Sequence, residues 1–287
     1  MIPAHENNLN REPHTFVVVS GKGGVGKTNV AANLAVLLSM AGKKVLLCDA
    51  DFGLANVDVL LGLSPQKTIR DVIEERCSLS EAMLRGPAGI TILTACSGYT
   101  DMAELDPAKM DWLLDALRSY SKGYDFVLID APTGISSNMQ RVVEYAHEAI
   151  LLTTPEPTAV MDAYAVLKVL SSRTPDLPVK LAVNMIASMD AGERIAAGID
   201  EVASKFLNRH IETVAQMPFD SNVQLAVRRQ IPYALNFPNS PASRSLRNMC
   251  QKLLLGMREP VLPAAANTGG VGRFTATLNR STSWPGS

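Results

Sequence analysis

Gly21-Lys22-Gly23-Gly24-Val25-Gly26-Lys27-Thr28 decides how this chain is read. It satisfies the spacing G-x-x-x-x-G-K-[ST]. It follows an apolar run, Phe16 to Val19, and precedes a helical pattern from Asn29 to Met40. Strand, glycine loop and helix in that order form a phosphate cradle. Glycines let the backbone approach an anion and take up conformations that a Cβ forbids. Several N–H groups and a helix N-terminus then converge on one negative charge. In such a cradle Lys27 meets the β- and γ-phosphates, and the Thr28 hydroxyl is a ligand for Mg²⁺. Gly21, Gly23, Gly24, Val25 and Gly26 supply the backbone contacts.

The fold class follows from the strands around the loop. Phe16 to Val19, Val45 to Cys48 and Phe126 to Ile129 are continuously apolar, as strands covered on both faces are. An α/β domain is expected, a mostly parallel, doubly wound sheet with helices on both faces. Its span is residues 15–258, after a flexible lead at 1–14 and before a flexible tail at 259–287 of linker composition. With Lys+Arg 27 against Asp+Glu 28, no global field draws the chain to nucleic acid. Cys48, Cys77, Cys96 and Cys250 are scattered without a C-x-x-C pair, which argues against a zinc site and fits a reducing compartment. Met1 to His14 is polar and has no apolar core of a signal peptide, so a cytoplasmic location is expected.

Further site candidates lie at strand ends, where parallel sheets bind ligands. The strand Lys44 to Cys48 runs into Asp49, with Asp51 two residues on. Asp49 is placed to hold the Mg²⁺ water shell and Asp51 to face an attacking water; the alternative for Asp51 is a loop cap. Tyr124 to Ile129 ends at Asp130, the second magnesium carboxylate, and Ala131 to Ser136 is the loop expected to sense the γ-phosphate. Short helices are expected at Thr68–Glu75 and Leu79–Leu84, and a strand at Gly89–Thr94. A longer helix should open at Asp106-Pro107 with Met110, Leu113, Leu114 and Leu117 inward. Strands follow at Ala149–Thr154, Val179–Met185 and Glu212–Met217. Thr158 is expected as the cap of the helix after Pro155-Glu156-Pro157. Helices are expected at Ala191–Asn208, Ser221–Arg229 and Ala242–Arg258. In the last, Leu246, Met249, Cys250, Leu253, Leu254 and Met257 form a core stripe; the rival reading is a basic membrane anchor. Arg228-Arg229 suits a helix C-terminus or an anionic partner.

Lys22, directly after the first glycine, gives the loop a second cation. Lys-Gly-Gly-Val-Gly-Lys-Thr resembles the deviant phosphate loop of the MinD/ParA ATPases. That resemblance implies a nucleotide-sandwich homodimer in which Lys22 reaches the partner's phosphates. It also implies ATP and Mg²⁺ as cofactors, with Asn184 at a strand end reading the adenine edge and Pro218-Phe219-Asp220 walling the base. Asn184 is otherwise a turn residue. It is followed by Met185, Ile186 and Ala187 and not by the Lys-x-Asp of GTPases, which favours ATP.

Gly53-Leu54-Ala55-Asn56-Val57-Asp58-Val59-Leu60-Leu61-Gly62 and the run Pro155 to Tyr164 look like the MinD and flagellar-number-regulator (FlhG/FleN) branch. The DNA-partitioning ParA branch has Asp-Pro-Gln in the first place. The implied function is an ATP-dependent switch that sets flagellar number or placement. Implied partners are the signal-recognition-type GTPase FlhF, a flagellar transcription activator or switch-complex proteins. The lead lacks the Asp-Gln-Ala-x-x-Leu-Arg motif with which some relatives stimulate that GTPase. Rival implications are a MinD-type division-site regulator, a ParA-type partitioning ATPase and an iron–sulfur carrier; the last lacks its C-x-x-C. Val271–Ser287, with Phe274, Leu278 and Trp284, is a candidate for weak, ATP-dependent membrane contact at the inner face of the cell membrane.

Overall fold

The computed structural model describes residues 11–53, 56–95 and 105–257. The expectations placed on the first ten residues, on Leu54-Ala55 and on the tail from Arg258 onward lie outside these. Apolar runs become β1 (His14–Val19), β2 (Val45–Asp49), β5 (Phe126–Asp130), β6 (Glu148–Thr153), β7 (Val179–Ile186) and β8 (Glu212–Pro218). Two short strands, β3 (Met83–Arg85) and β4 (Thr91–Leu93), complete an eight-stranded sheet in the order β3-β4-β2-β5-β1-β6-β7-β8. All pairings are parallel except β3 with β4.

Side chains alternate across each strand, so each face has its own core. Val17 and Val19 face α3 (Ile69–Ile73), α4 (Pro107–Tyr120), α5 (Ser137–Tyr145), α6 (Pro157–Arg173) and α7 (Met189–Leu207). Phe16 and Val18 face α1 (Lys27–Met40), α8 (Ser221–Arg229), α9 (Tyr233–Asn236) and α10 (Pro241–Gly256). The sheet is thus buried on both sides, as the unbroken apolar runs require.

Local chemistry sets the element ends. Gly42, at φ 79, follows the α1 cap as expected of a helix-ending glycine. Asp106 caps α4 by accepting from Ala108 N, with Pro107 at the first helical position. Met110, Leu113, Leu114 and Leu117 are buried, and so are Leu246, Met249, Cys250 and Leu253 of α10. That last helix packs on α1 and β8, so its stripe is core.

Two expectations need correction. Leu79–Leu84 is not a helix: a single 3₁₀ turn, Ser80–Ala82, leads into β3. Three residues carry little periodicity, and the free edge of β4 decides their conformation. Thr158 does not cap α6. The helix starts two residues earlier than such a cap would set, after Glu156, and no side chain caps it. Three helices were not expected: α5, α9 and α2 (Val57–Leu60). The α5 start is a Ser136 hydroxyl accepting from Met139 N at 3.1 Å, a signal present in the sequence.

Candidate nucleotide-binding site

Register brings the site together. Val18 of β1 and Asp49 of β2 both lie opposite Asp130 of β5, so three strands end at one level. The loop after β1 passes over these ends. Gly24 and Gly26 have φ of 81 and 93, open to glycine at low cost. Gly21 is required for a different reason: a Cβ there would lie 2.3 Å from the backbone oxygen of Asp162 in α6. The loop therefore rests directly on that helix.

Gly26 is the N-cap of α1, so Lys27 and Thr28 fall in its first turn. Lys27 is 6% exposed and its Nζ donates to Asp130 Oδ1 at 2.7 Å. The Thr28 hydroxyl donates to the other carboxylate oxygen of Asp130 at 2.6 Å. One buried carboxylate thus gathers the lysine and the hydroxyl of the phosphate motif, as a metal-bearing carboxylate beside the phosphates should. Asp49 is also buried; its Oδ1 accepts from Asp51 N, and its Oδ2 accepts from Asn56 N and Val57 N, the start of α2. Burial, and then the charge of Asp130, hold the Asp49 carboxyl well above the usual carboxylate range. A divalent cation between the two would relieve that repulsion. Thr28, Asp49 and Asp130 are all hard oxygen donors, the set that fits Mg²⁺. Among the described residues no three His, Cys, Asp or Glu side chains form a closed metal cage. Mg²⁺ sites completed by water and phosphate oxygens need none.

Asp51 follows on the same loop and is half-buried. Across the site, Gly134 N donates to Ser20 O at 2.9 Å with φ 84, which lays the loop after β5 against the end of β1. Lys22 points elsewhere. Its ammonium pairs with Glu156 and donates to the Thr158 hydroxyl at 2.9 Å, at the start of α6. Glu156 was not singled out from the sequence, and no spacing rule would find it; it lies 134 residues from its partner.

On the base side, the residues singled out from the sequence also hold the strand and helix ends together. Asn184 Nδ2 donates to Val25 O at 2.8 Å, so this amide braces the phosphate loop. Asp220 accepts from Asn222 N at 2.9 Å and Ala242 N at 3.2 Å, so its carboxylate fixes the starts of α8 and α10. Pro218 ends β8, and the next residue, Phe219, donates its N–H to Ile186 O. Met185 lies within β7 at φ 57, a left-handed conformation that costs a side-chain-bearing residue about 1–2 kcal/mol.

Comparison with known proteins agrees with this geometry. The family profile ParA, described as "NUBPL iron-transfer P-loop NTPase", matches residues 12–254. The antiactivator FleN of Pseudomonas aeruginosa is 40% identical over 238 residues, covering 83% of this chain and 85% of its own. The septum site-determining protein MinD of Bacillus subtilis is 32% identical, covering 83% and 88%. The structure of MinD from Pyrococcus horikoshii complexed with Mg-ADP superposes with a TM-score of 0.72 at 26% identity, over 87% of this chain and all of that one. A strand–loop–helix cradle with two lysines, a buried aspartate at the end of β5 and matches of this length have one reading: the chain belongs to the ParA/MinD family of P-loop NTPases.

Proposed function

We propose that this chain is an ATP-driven, dimerising switch that regulates flagellar number or placement. The observation that carries the reading is the 40% identity to an antiactivator, FleN, across most of both chains. In this reading Lys27 neutralises the β- and γ-phosphates. Thr28 and Asp130, with Asp49, would hold Mg²⁺, whose charge would offset that of the transferred phosphoryl group. Asp51 orients the attacking water. Lys22 leaves Glu156 and Thr158 to meet the phosphates of a second copy, so the dimer is the ATP state. Hydrolysis is weak and serves as a timer. The partners are a second copy, and a flagellar GTPase of the FlhF type, a flagellar transcription activator or switch-complex proteins. No specific nucleic acid is a partner. The protein is cytoplasmic, and contact with the inner face of the cell membrane is peripheral, weak and ATP-dependent. Among the described residues no helix is long and apolar enough to cross a membrane.

Asp51→Ala tests the mechanism. It should bind ATP·Mg²⁺ and stay dimeric by light scattering, while Asp130→Ala loses Mg²⁺-dependent binding. Equal loss of affinity in both would show that the carboxylates do not divide the work. In cells, deleting the gene should change the number of flagella. Normal flagella with misplaced division septa would instead favour the second reading, a division-site regulator, for which the 32% identity to the Bacillus MinD speaks.

A further inference from the structure

Among the described residues, two buried hydroxyls have no hydrogen-bond partner: those of Thr94, 0% exposed, and Thr154, 4% exposed. Each follows a strand, β4 or β6, at the end of the sheet that carries the nucleotide site. The backbone of Thr94 is used: its carbonyl accepts from Ile69 N at 2.9 Å, at the start of α3. Its hydroxyl is not. A buried hydroxyl left unpaired costs stability, and such groups mark places where a ligand or ion completes the set.

Register shows what stands beside Thr94. Leu93 of β4 pairs with Cys48 of β2, so Thr94 comes next to Asp49, the residue after Cys48. Asp49 in turn pairs with Asp130. Leu93 and Ala95, Cys48 and Ala50, and Ile129 and Ala131 all belong to one core. The residue between each pair therefore faces the other side of the sheet, where Ile92, Leu47 and Leu128 pack with α1. Thr94, Asp49 and Asp130 thus form a row on the α1 face, about 4.8 Å apart from strand to strand. The two carboxylates of the row are those that fit Mg²⁺, and the hydroxyl closes its outer end. Asp49 accepts from the N–H groups of Asp51, Asn56 and Val57, and its oxygens have lone pairs to spare. A turn about the Thr94 Cα–Cβ bond, from one staggered position to another, re-aims the hydroxyl without moving the backbone.

Resting on the nucleotide-binding reading, we propose that Thr94 is a positioning residue for Asp49: in the complex with Mg²⁺ and nucleotide, its hydroxyl donates to the Asp49 carboxylate. Asp49 is then held from two sides, by the start of α2 and by the end of β4, and keeps one orientation toward the cation. Groups behind a metal-bearing carboxylate tune metal affinity in this way. Thr94 itself touches neither phosphate nor cation.

The test uses the whole protein, with ATP and Mg²⁺ as probes. Thr94→Val keeps the shape of the side chain and removes the hydroxyl. Because that hydroxyl is idle in the nucleotide-free fold, the urea midpoint should be no lower than wild type. ATP affinity in EDTA should not change. The Mg²⁺ concentration that gives half of the Mg²⁺-dependent gain in ATP affinity should rise about tenfold, the low end for a group behind a metal-bearing carboxylate. Thr94→Ser, which keeps the hydroxyl, should restore the wild-type value. If Thr94→Val does not fold, Thr94→Cys, with a much weaker donor, replaces it with the same Mg²⁺ expectation. A wild-type Mg²⁺ response in a folded variant overturns the proposal. So does an equal fall in ATP affinity with and without Mg²⁺, which would place the fault in the phosphate cradle. A wild-type chain that binds no ATP would defeat the nucleotide reading itself, a different result from a normal Mg²⁺ dependence that ignores position 94.

Discussion

The two lysines of one loop stand in opposite environments. Lys27 is 6% exposed and paired with an aspartate that is 0% exposed. The Lys22 side chain is 36% exposed, and its partner Glu156 is 64% exposed. Five residues apart, one cation is built into the core and the other is held at the surface by a pair that water can enter. A buried pair is costly to break, because the charge left behind has no solvent. An exposed pair is worth little, because water and salt replace either partner. The arrangement suits a fixed phosphate ligand beside a group that must change partners.

The largest effect expected from this contrast is kinetic. Lys22→Ala should leave the urea midpoint and ATP binding nearly unchanged. It should abolish the ATP-dependent dimer and lower partner-stimulated hydrolysis by ~10³–10⁵, the range for a cation supplied from outside a phosphoryl-transfer site. Light scattering and phosphate release read the two losses separately. Dimerisation and turnover at wild-type levels would mean that Lys22 is an ordinary surface lysine.

Lys27→Ala should show the converse pattern. It strands Asp130 in the core, so the nucleotide-free protein should lose about 3–5 kcal/mol in urea unfolding. Nucleotide binding should disappear with it. Because Asp130 is then the orphan, adding Asp130→Asn to Lys27→Ala should recover part of the stability and none of the binding. A Lys27→Ala protein as stable as wild type would erase the distinction between the two lysines.

The same contrast explains what the sequence made legible. The phosphate half is contiguous: strand, loop and helix follow within residues 14–40, and an apolar run delivers Asp130 to their level. Helices with four inward positions, such as α4, were readable from spacing alone. The rest of the site is built by contacts between distant segments. Asn184 reaches Val25 across 159 residues, and Lys22 reaches Glu156 across 134. Neither pair leaves a periodic trace. Asp220 is instructive in another way. The family resemblance sets it beside the base; its position before a helix also announces a cap, and Asp220 serves two helices. Strand β3 was hidden because three residues gain their conformation from a neighbour's edge.

The smallest effect, and the sharpest on the contrast, concerns Glu156. If the Lys22–Glu156 pair is a resting place, weakening it should release Lys22 without harming the fold. Both side chains are substantially exposed, so the pair is worth at most about 1 kcal/mol. Glu156→Gln keeps the shape of the residue and removes its charge, and Thr158 still offers its hydroxyl. Each dimer opens two such pairs, one per subunit, so the gain is bounded by twice the pair's worth and the monomer–dimer constant should strengthen by no more than about thirtyfold. Raising the salt concentration should screen the wild-type pair and narrow the difference between the two proteins. The monomer–dimer constant in ATP, measured at low and high salt, tests both points together. A weaker dimer in Glu156→Gln at every salt concentration would mean that Glu156 belongs to the dimer contact, and that Lys22 does not have to leave it.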